Sequence, residues 1–179
     1  MIPDSHPILS CDEAKRFEAQ LFGGDEAQEW SAMEQAGRAI AEAALHDIQE
    51  IGGFPVDGRI LVLVGKGHNG GDALIAARTI LEKNRDARAD VVFAFGLRTL
   101  RPLAARAWQI LTQRFGERIL FLPAAQLPAD YDLCLDGIFG FQFRPPMEAA
   151  VIALIERVNA FPIRCRVAVD LPSGGMFRA

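Results

Sequence analysis

The feature that most constrains the fold of this chain is a glycine-rich turn between a continuous apolar run and an amphipathic stretch. Residues 60–64 are all apolar, and the segment GKGHNGGD at 65–72 follows them with four glycines. Beyond the turn, Leu74, Ala77 and Leu81 recur at helical spacing. This order predicts a buried strand, a tight loop and a helix whose first N–H groups favour an anion. The loop is therefore predicted to bind phosphate.

The loop differs from two common phosphate-binding motifs. The glycines within 65–70 match the dinucleotide fingerprint, but that fingerprint also needs an acidic residue at the end of the second strand. The predicted second strand, 90–95, ends in Phe95 and carries Asp90 at its other end. The Gly-Lys-Ser/Thr ending that a Walker loop requires does not occur here. An ordinary dehydrogenase and a Walker-type ATPase are both disfavoured.

Composition excludes several classes of function. The chain has 179 residues, half of them hydrophobic, which suits one domain with a buried sheet. Its net charge of −4, without a basic tract, argues against nucleic acid as a partner. No apolar stretch of membrane length and no signal peptide is recognisable, so we expect a cytoplasmic protein without membrane association. The histidines lack zinc-site spacing, and Cys134 and Cys165 are expected to be buried in strands.

Strands alternate with helices along the rest of the chain. Further strands are predicted at 118–122, 131–136 and 166–169, and helices are predicted to begin near Ser10, Ser31, Pro102 and Glu148. This alternation predicts a single α/β domain over residues 1–179, a three-layer αβα Rossmann-like sandwich with a mostly parallel central sheet. Right-handed crossovers favour the strand order 3-2-1-4-5.

The second predicted helix carries a long apolar stripe. A capping box, serine with glutamate three residues later, places its start at Ser31. Met33, Gly37 and Ile40 lie on the stripe, and the glycine indicates close packing against another backbone. We expect this helix to pack on the domain and to contribute to a homodimer.

Most of the notable polar residues directly follow strand ends. Asn69 and Asp72 follow the first strand, Asp136 follows the fourth, and Asp170 and Ser173 follow the fifth. Parallel strands end at one edge of the sheet, where ligands bind between the first and fourth strands. Taken singly, Asp72 could cap a helix, and Asp136 or Asp170 could close a turn. Together the three carboxylates would repel one another without a ligand, and their oxygen atoms favour a hard cation.

With these loops, the chain resembles the NAD(P)H-hydrate epimerase family, whose domain is of the YjeF N-terminal type. Four segments carry the resemblance: MEQAG at 33–37, GKGHNGGDA at 65–73, DGIFG at 136–140 and DLPSG at 170–174. The resemblance runs from about Ser10 to Gly174. His68 stands where the family has asparagine, and Ala73 stands where it has glycine.

The resemblance implies an isomerase that interconverts the R and S epimers of hydrated NADH and NADPH, with an NAD(P)HX dehydratase as its functional partner. It implies that Asp170 is the catalytic base and that Asn69, Asp136 and Ser173 bind a potassium ion. It also implies a set of substrate-binding residues: His68, Asn69, Gly70, Gly71, Asp72, Gly140, Phe141, Gln142, Phe143, Arg144, Pro145, Pro146 and Asp170.

Two alternatives stay open at this point. The first concerns the proton-transfer group, because His68 is a rival to Asp170: histidine in general has an unperturbed pKa of about 6.5, which suits proton transfer near neutral pH. The second concerns function, because a domain of this fold can also serve as a non-catalytic nucleotide-binding module. The family domain continues through further strands, so we expect this chain to lack its C-terminal strands and to expose a sheet edge.

Overall fold

The computed structural model describes residues 10–174, and within this range five strands form one parallel sheet. The strands are β1 (Arg59–Val64), β2 (Arg88–Phe93), β3 (Ile119–Phe121), β4 (Leu133–Gly137) and β5 (Cys165–Ala168). Their order is β3-β2-β1-β4-β5, and every neighbouring pair is parallel. The predicted strand order is therefore confirmed, with β1 beside β4 at the point where strand order reverses.

Residues 10–174 form five α-helices, and all but the first cover the two faces of this sheet. The five are α1 (Cys11–Phe22), α2 (Glu26–Glu50), α3 (His68–Lys83), α4 (Pro102–Phe115) and α5 (Ala149–Asn159). Side chains alternate between the faces along β1, because successive strand residues point in opposite directions. Ile60, Val62 and Val64 pack in the core shared with α2, α3 and α4. Leu61 and Leu63 pack in the core shared with α5, so the fold is the predicted three-layer sandwich.

The start of α2 differs from the sequence prediction. The helix begins at Glu26 rather than at Ser31, which lies inside it. Asp25 caps it, because its Oδ1 accepts hydrogen bonds from the N–H groups of Ala27, at 2.9 Å, and Gln28, at 3.3 Å. Aspartate caps a helix as well as serine does, and an earlier cap adds helical hydrogen bonds at little further entropic cost.

The long helix α2 packs against α3, as predicted. Met33 is 5% exposed, Gly37 is buried, and Ile40 is partly buried against the same core. A Cβ at Gly37 would lie 2.5 Å from the Cβ of Ile75 and 2.9 Å from a backbone oxygen of α3, so only glycine fits this crossing. A partly buried ion pair beside the crossing, in which Arg78 donates to both carboxylate oxygens of Glu34 at 2.8 Å, holds the two helices together.

The two cysteines that were expected to be buried in strands differ in their exposure. Cys134, in the inner strand β4, is buried as expected. Cys165 is only partly buried, because within residues 10–174 its strand β5 has a neighbour on one side only. Among the helices of residues 10–174, none combines the length and the apolar character that crossing a membrane requires.

Candidate active site

A cleft of about 580 Å³ lies at the carboxyl-terminal edge of the sheet, above the point where β1 and β4 meet. This volume is within the range of small-molecule sites. Residues 66–69 and Asp72 line it after β1, residues 138–144, Pro146 and Glu148 line it after β4, and Asp170 lines it after β5. One side is formed by α2, which was not predicted to reach the site, through Glu29, Ala32, Met33 and Ala36.

Most of the substrate-binding residues that the family resemblance implies line this cleft. They are His68, Asn69, Asp72, Gly140, Phe141, Gln142, Phe143, Arg144, Pro146 and Asp170. Gly70, Gly71 and Pro145 do not line it. Both of these glycines are buried, so their backbone faces the protein rather than the cleft.

At three of the four loop glycines, a Cβ would collide with other atoms of the protein, and at two of them, Gly65 and Gly70, these are backbone atoms. A Cβ at Gly65 would collide with the carbonyl oxygen of Ile138, and one at Gly70 would collide with the carbonyl oxygen of Gly65. A Cβ at Gly71 would lie 2.6 Å from the sulfur of Met33. These glycines therefore let β1, α2 and the loop after β4 approach one another.

Gly67 is the one loop glycine with open space beside it. The nearest atoms to a Cβ built there belong to the Arg101 side chain, at 3.8 and 3.9 Å. Gly67 is also the N-cap of α3, and no side chain caps that helix end. The first N–H groups of a helix carry partial positive charge. These observations favour the start of α3, beside the Arg101 side chain, as the position of the predicted anion-binding site.

Two basic residues beside this helix end were not singled out by the sequence analysis. Lys66 lies 4.1 Å above the ring of Phe95 and 3.8 Å from a carboxylate oxygen of Glu148. The backbone N–H of Arg101 donates to the carbonyl oxygen of Lys66 at 2.8 Å, which joins the loops after β1 and β2. The position of Lys66 just after β1 was a signal that could have found this residue, whereas Arg101 lies at the start of α4, well beyond the end of β2.

The predicted cation ligands form one hydrogen-bonded cluster. The Ser173 hydroxyl donates to Oδ1 of Asp136 at 2.7 Å, and the Ser173 N–H donates to Oδ2 at 2.7 Å. The Ile138 N–H also donates to Oδ1 of Asp136, at 3.2 Å. The N–H of Phe139 donates to the Ser173 hydroxyl at 3.3 Å, and its carbonyl accepts from Nδ2 of Asn69 at 2.8 Å. The loops after β1, β4 and β5 therefore meet at these side chains.

This cluster offers hard oxygen donors with one negative charge. Because Nδ2 of Asn69 points at Phe139, the amide oxygen of Asn69 is turned away from that carbonyl. Residues 10–174 hold no group of three acidic, histidine or cysteine side chains suited to a metal ion. The available donors are thus one carboxylate, one amide oxygen and one hydroxyl. Such a donor set fits a hard cation better than a soft transition-metal ion.

Asp170 lies at the rim of the cleft, exposed to solvent. Its Oδ2 accepts a hydrogen bond from the N–H of Phe141 at 2.8 Å, which orients the carboxylate. Asn69 and Asp170 flank Gly140, where a Cβ would collide with both side chains. The proposed base of the family is thus adjacent to one of the implied cation ligands. His68, its rival, is exposed on the first residue of α3 and also lines the cleft.

Asp72 does not have the simple role of a helix cap that the sequence alone would allow. It is the fifth residue of α3 and therefore does not cap that helix, whose N-cap is Gly67. Burial raises the pKa of Asp72 to about 7, and no neighbouring carboxylate contributes to this shift. Its Oδ1 is buried without a hydrogen-bond partner among the described residues. Mutual repulsion of the three carboxylates, expected from the sequence, is therefore not what perturbs Asp72.

The comparison with known proteins agrees with this geometry. Residues 30–176 match the family described as YjeF-related protein N-terminus. An NAD(P)H-hydrate epimerase of Bordetella pertussis strain Tohama I is 41% identical over 121 residues, covering 68% of this chain and 50% of the relative. A bifunctional NAD(P)H-hydrate repair enzyme Nnr of Gloeobacter violaceus is 37% identical over 168 residues, covering 93% of this chain and 30% of the relative. The chain thus spans half or less of the length of these two relatives.

A solved structure supports the same fold. The crystal structure of yeast ynu0, YNL200c, superposes with a TM-score of 0.71, covering 94% of this chain and 72% of that one. The two sequences are 23% identical, so this likeness concerns the fold alone.

Proposed function

This chain belongs to the YjeF-related protein N-terminus family, and we propose that it interconverts the R and S epimers of hydrated NADH and NADPH. The observation that carries the proposal is the meeting of Asn69, Gly140 and Asp170 at the rim of one cleft. There, an oriented carboxylate lies beside a cluster of oxygen ligands. The names of the similar epimerases and repair enzymes add support.

We propose that the diphosphate of the substrate binds at the start of α3. Gly67 leaves its backbone accessible there, and Arg101 and Lys66 supply positive charge beside it. Helix N-termini and cationic side chains together favour phosphate oxygens. The hydrated nicotinamide ring would then extend toward Asp170, past the loop 140–146.

We propose that Asp170 acts as a base on the hydrated ring. Hydration of the reduced nicotinamide places a hydroxyl on the carbon next to the ring nitrogen, so inversion of that carbon requires a bond to break and reform. Each direction needs a group that accepts a proton. Asp170 is exposed in the cleft and held in place through the Phe141 N–H at 2.8 Å. A positioned general base accelerates such a step by roughly 10²–10⁴-fold.

We propose a potassium ion at Asn69, Asp136 and Ser173. When bound, it would supply positive charge near negatively charged parts of the nucleotide. The single carboxylate and the neutral oxygen donors of this cluster suit a monovalent hard cation. The loops that carry Asn69 and Ser173 would thereby be held at fixed positions around the substrate.

We propose that the product passes to an NAD(P)HX dehydratase in the cytoplasm. The bifunctional relative is named for NAD(P)H-hydrate repair, which is consistent with a shared route. Cys134 and Cys165 are free thiols, as is usual for proteins of a reducing compartment. A homodimer also belongs to the proposal, because Phe17 and Leu21 of α1 are large apolar side chains that each remain 55% exposed.

A coupled assay tests the function directly. The R epimer would be supplied together with a dehydratase that accepts only the S epimer, and NADH formation would be followed with and without this chain. We expect the chain to restore NADH formation, and Asp170→Asn to fail as the matched negative control. Tight binding of the nucleotide without any restoration would favour the alternative, a non-catalytic nucleotide-binding module.

A further inference from the structure

Asp72 combines access to the cleft with a buried, unpartnered oxygen. The residue lines the cleft from α3, one turn after Asn69. Its Oδ1 has no hydrogen-bond partner among the described residues, although that atom is buried. An unsatisfied buried oxygen costs free energy, so such an atom in a binding cleft points to a partner supplied by the ligand.

The surroundings of Asp72 favour its neutral, proton-carrying form. Burial raises its pKa to about 7, whereas an exposed aspartate has a pKa near 3.8. Several other titratable or charged side chains line the same cleft: Glu29, Lys66, His68, Arg101, Arg144, Glu148 and Asp170. None of them accounts for the shift, because desolvation is its only cause. A carboxyl group that titrates near neutral pH can donate a proton as readily as accept one.

We propose that Asp72 is a second catalytic residue of this site, the acid that protonates the hydroxyl leaving the hydrated carbon. This proposal rests on the proposed epimerase function. It adds an acid, Asp72, to the base, Asp170, in the same reaction. The two carboxyl groups come from different elements, α3 and the loop after β5, and line one cleft. An epimerase needs both an acid and a base, and their roles must exchange in the reverse direction.

The proposed step balances without an oxidant or a reductant. Asp72 gives its proton to the hydroxyl oxygen, the carbon–oxygen bond breaks, and the electron pair of that bond leaves with water. The lone pair of the ring nitrogen forms a double bond to the same carbon. Water then adds to the other face, and Asp170 accepts the proton that this water loses. Proton exchange with solvent returns both aspartates to their starting states.

Asp72→Asn tests the role of the proton. The amide keeps the size of the side chain and can donate a hydrogen bond, but it has no proton to transfer. We expect kcat for epimerisation to fall by roughly 10²-fold or more. KM should change by much less, because binding contacts are retained. The native enzyme should lose activity as the pH rises through about 7, and this decrease is called the alkaline limb of the pH profile. Asp72→Asn should not show the alkaline limb.

Two further variants test whether the fall in kcat and the loss of the alkaline limb are specific to Asp72. Asp86→Asn removes an exposed carboxylate in the turn after α3, outside the cleft, and should behave as the native chain does. His68→Asn removes the histidine that lines the cleft and should keep the alkaline limb. Thermal unfolding of all variants checks the fold, and Asp72→Asn should be at least as stable as the native chain at pH 8.

Oxygen labelling provides an independent measurement. In ¹⁸O-labelled water, each epimerisation by the native enzyme should introduce one labelled oxygen at the hydrated carbon. Retention of the original oxygen would overturn the step, because the hydroxyl would then never leave. Unchanged kcat and an unchanged alkaline limb in a folded Asp72→Asn would also overturn it, while leaving the epimerase function intact. A native chain without epimerase activity would overturn both proposals.

Discussion

Asn69 and Asp170 lie on either side of Gly140, so closely that a Cβ at position 140 would collide with both side chains. The backbone of Gly140 does not need positive φ, since this residue is absent from the glycines that adopt it. Space, rather than backbone conformation, therefore requires glycine here. Gly140 thus contacts both a proposed cation ligand and the proposed base, so a substitution at this position should affect both residues.

Gly140→Ala should abolish most activity with little loss of stability. The colliding atoms are the ends of two short side chains, which can rotate away without moving the backbone but lose their hydrogen bonds to Phe139 and Phe141. We expect the free energy of unfolding to fall by about 1 kcal/mol. Activity should fall by roughly 10²-fold, because both side chains lose their positions. Urea denaturation and the coupled assay measure the two effects.

Gly65→Ala is the matched comparison, because its Cβ would meet backbone atoms instead. The carbonyl oxygens of Gly137 and Ile138 cannot move without displacing the end of β4. We expect a destabilisation of about 1–3 kcal/mol, typical of overpacking. Equal losses of stability in the two variants would contradict this distinction between side-chain and backbone collisions.

Separate substitutions of Asp170 and His68 should show which of these two residues is the base. Asp170→Asn should keep the fold and much of the nucleotide binding but lower kcat by roughly 10²–10⁴-fold. His68→Asn introduces the residue that the family has at this position, so we expect most of the activity to remain. Steady-state kinetics of both variants is the measurement. An active Asp170→Asn with an inactive His68→Asn would make histidine the base.

The proposed cation site predicts a specific response to potassium. Thermal unfolding of the native chain should shift upward in potassium chloride relative to a bulky organic cation at equal ionic strength. Asp136→Asn should lose this shift, since the charge of the site is removed. This variant should also be less stable by about 1–3 kcal/mol, because Asp136 accepts hydrogen bonds from Ser173 and Ile138. A native chain that unfolds identically in both salts would contradict the assignment.

Asp72 should also make stability depend on pH. Its pKa is raised by burial from 3.8 to about 7, so the folded state binds the proton more tightly than the unfolded state. The resulting stabilisation is present below about pH 4 and is lost as the pH rises through about 7. Asp72→Asn lacks this dependence. Relative to the native chain, its free energy of unfolding should rise by up to about 4 kcal/mol between pH 4 and pH 8.

The sheet could be predicted from the sequence because a strict strand–helix alternation leaves few topologies. Element boundaries were less certain. The second strand, predicted at 90–95, is observed at Arg88–Phe93, because the chain turns after Phe93 and Gly96 adopts a φ of 84°. Phe95 thereby leaves the sheet and reaches the cleft. Local apolar patterns do not reveal where pairing ends, since the turn that ends it is apolar as well.

The convergence of the site residues could be predicted for a similar reason, because parallel strands bring their ends to one edge. The individual environments could not be predicted. Which backbone approaches Gly65, or which helix buries Asp72, depends on contacts between distant segments. The packing of α2 over α3 brings Met33 against Gly71, and no local pattern near residue 71 indicates it. Arg101 was missed because its role depends on its proximity to Gly67 in the fold.

The oxygen cluster joins segments that are far apart in the chain, and this has a thermodynamic consequence. The Asn69–Phe139 hydrogen bond spans 70 residues, and the Phe139–Ser173 hydrogen bond spans a further 34. An unfolded chain cannot present these atoms together, so a ligand of the cleft binds only the native state. By mass action, such a ligand at 100 times its Kd adds about 2.7 kcal/mol to the free energy of unfolding of the whole domain. Melting temperatures measured across a panel of nucleotides would thus rank ligands of the cleft without any turnover being observed.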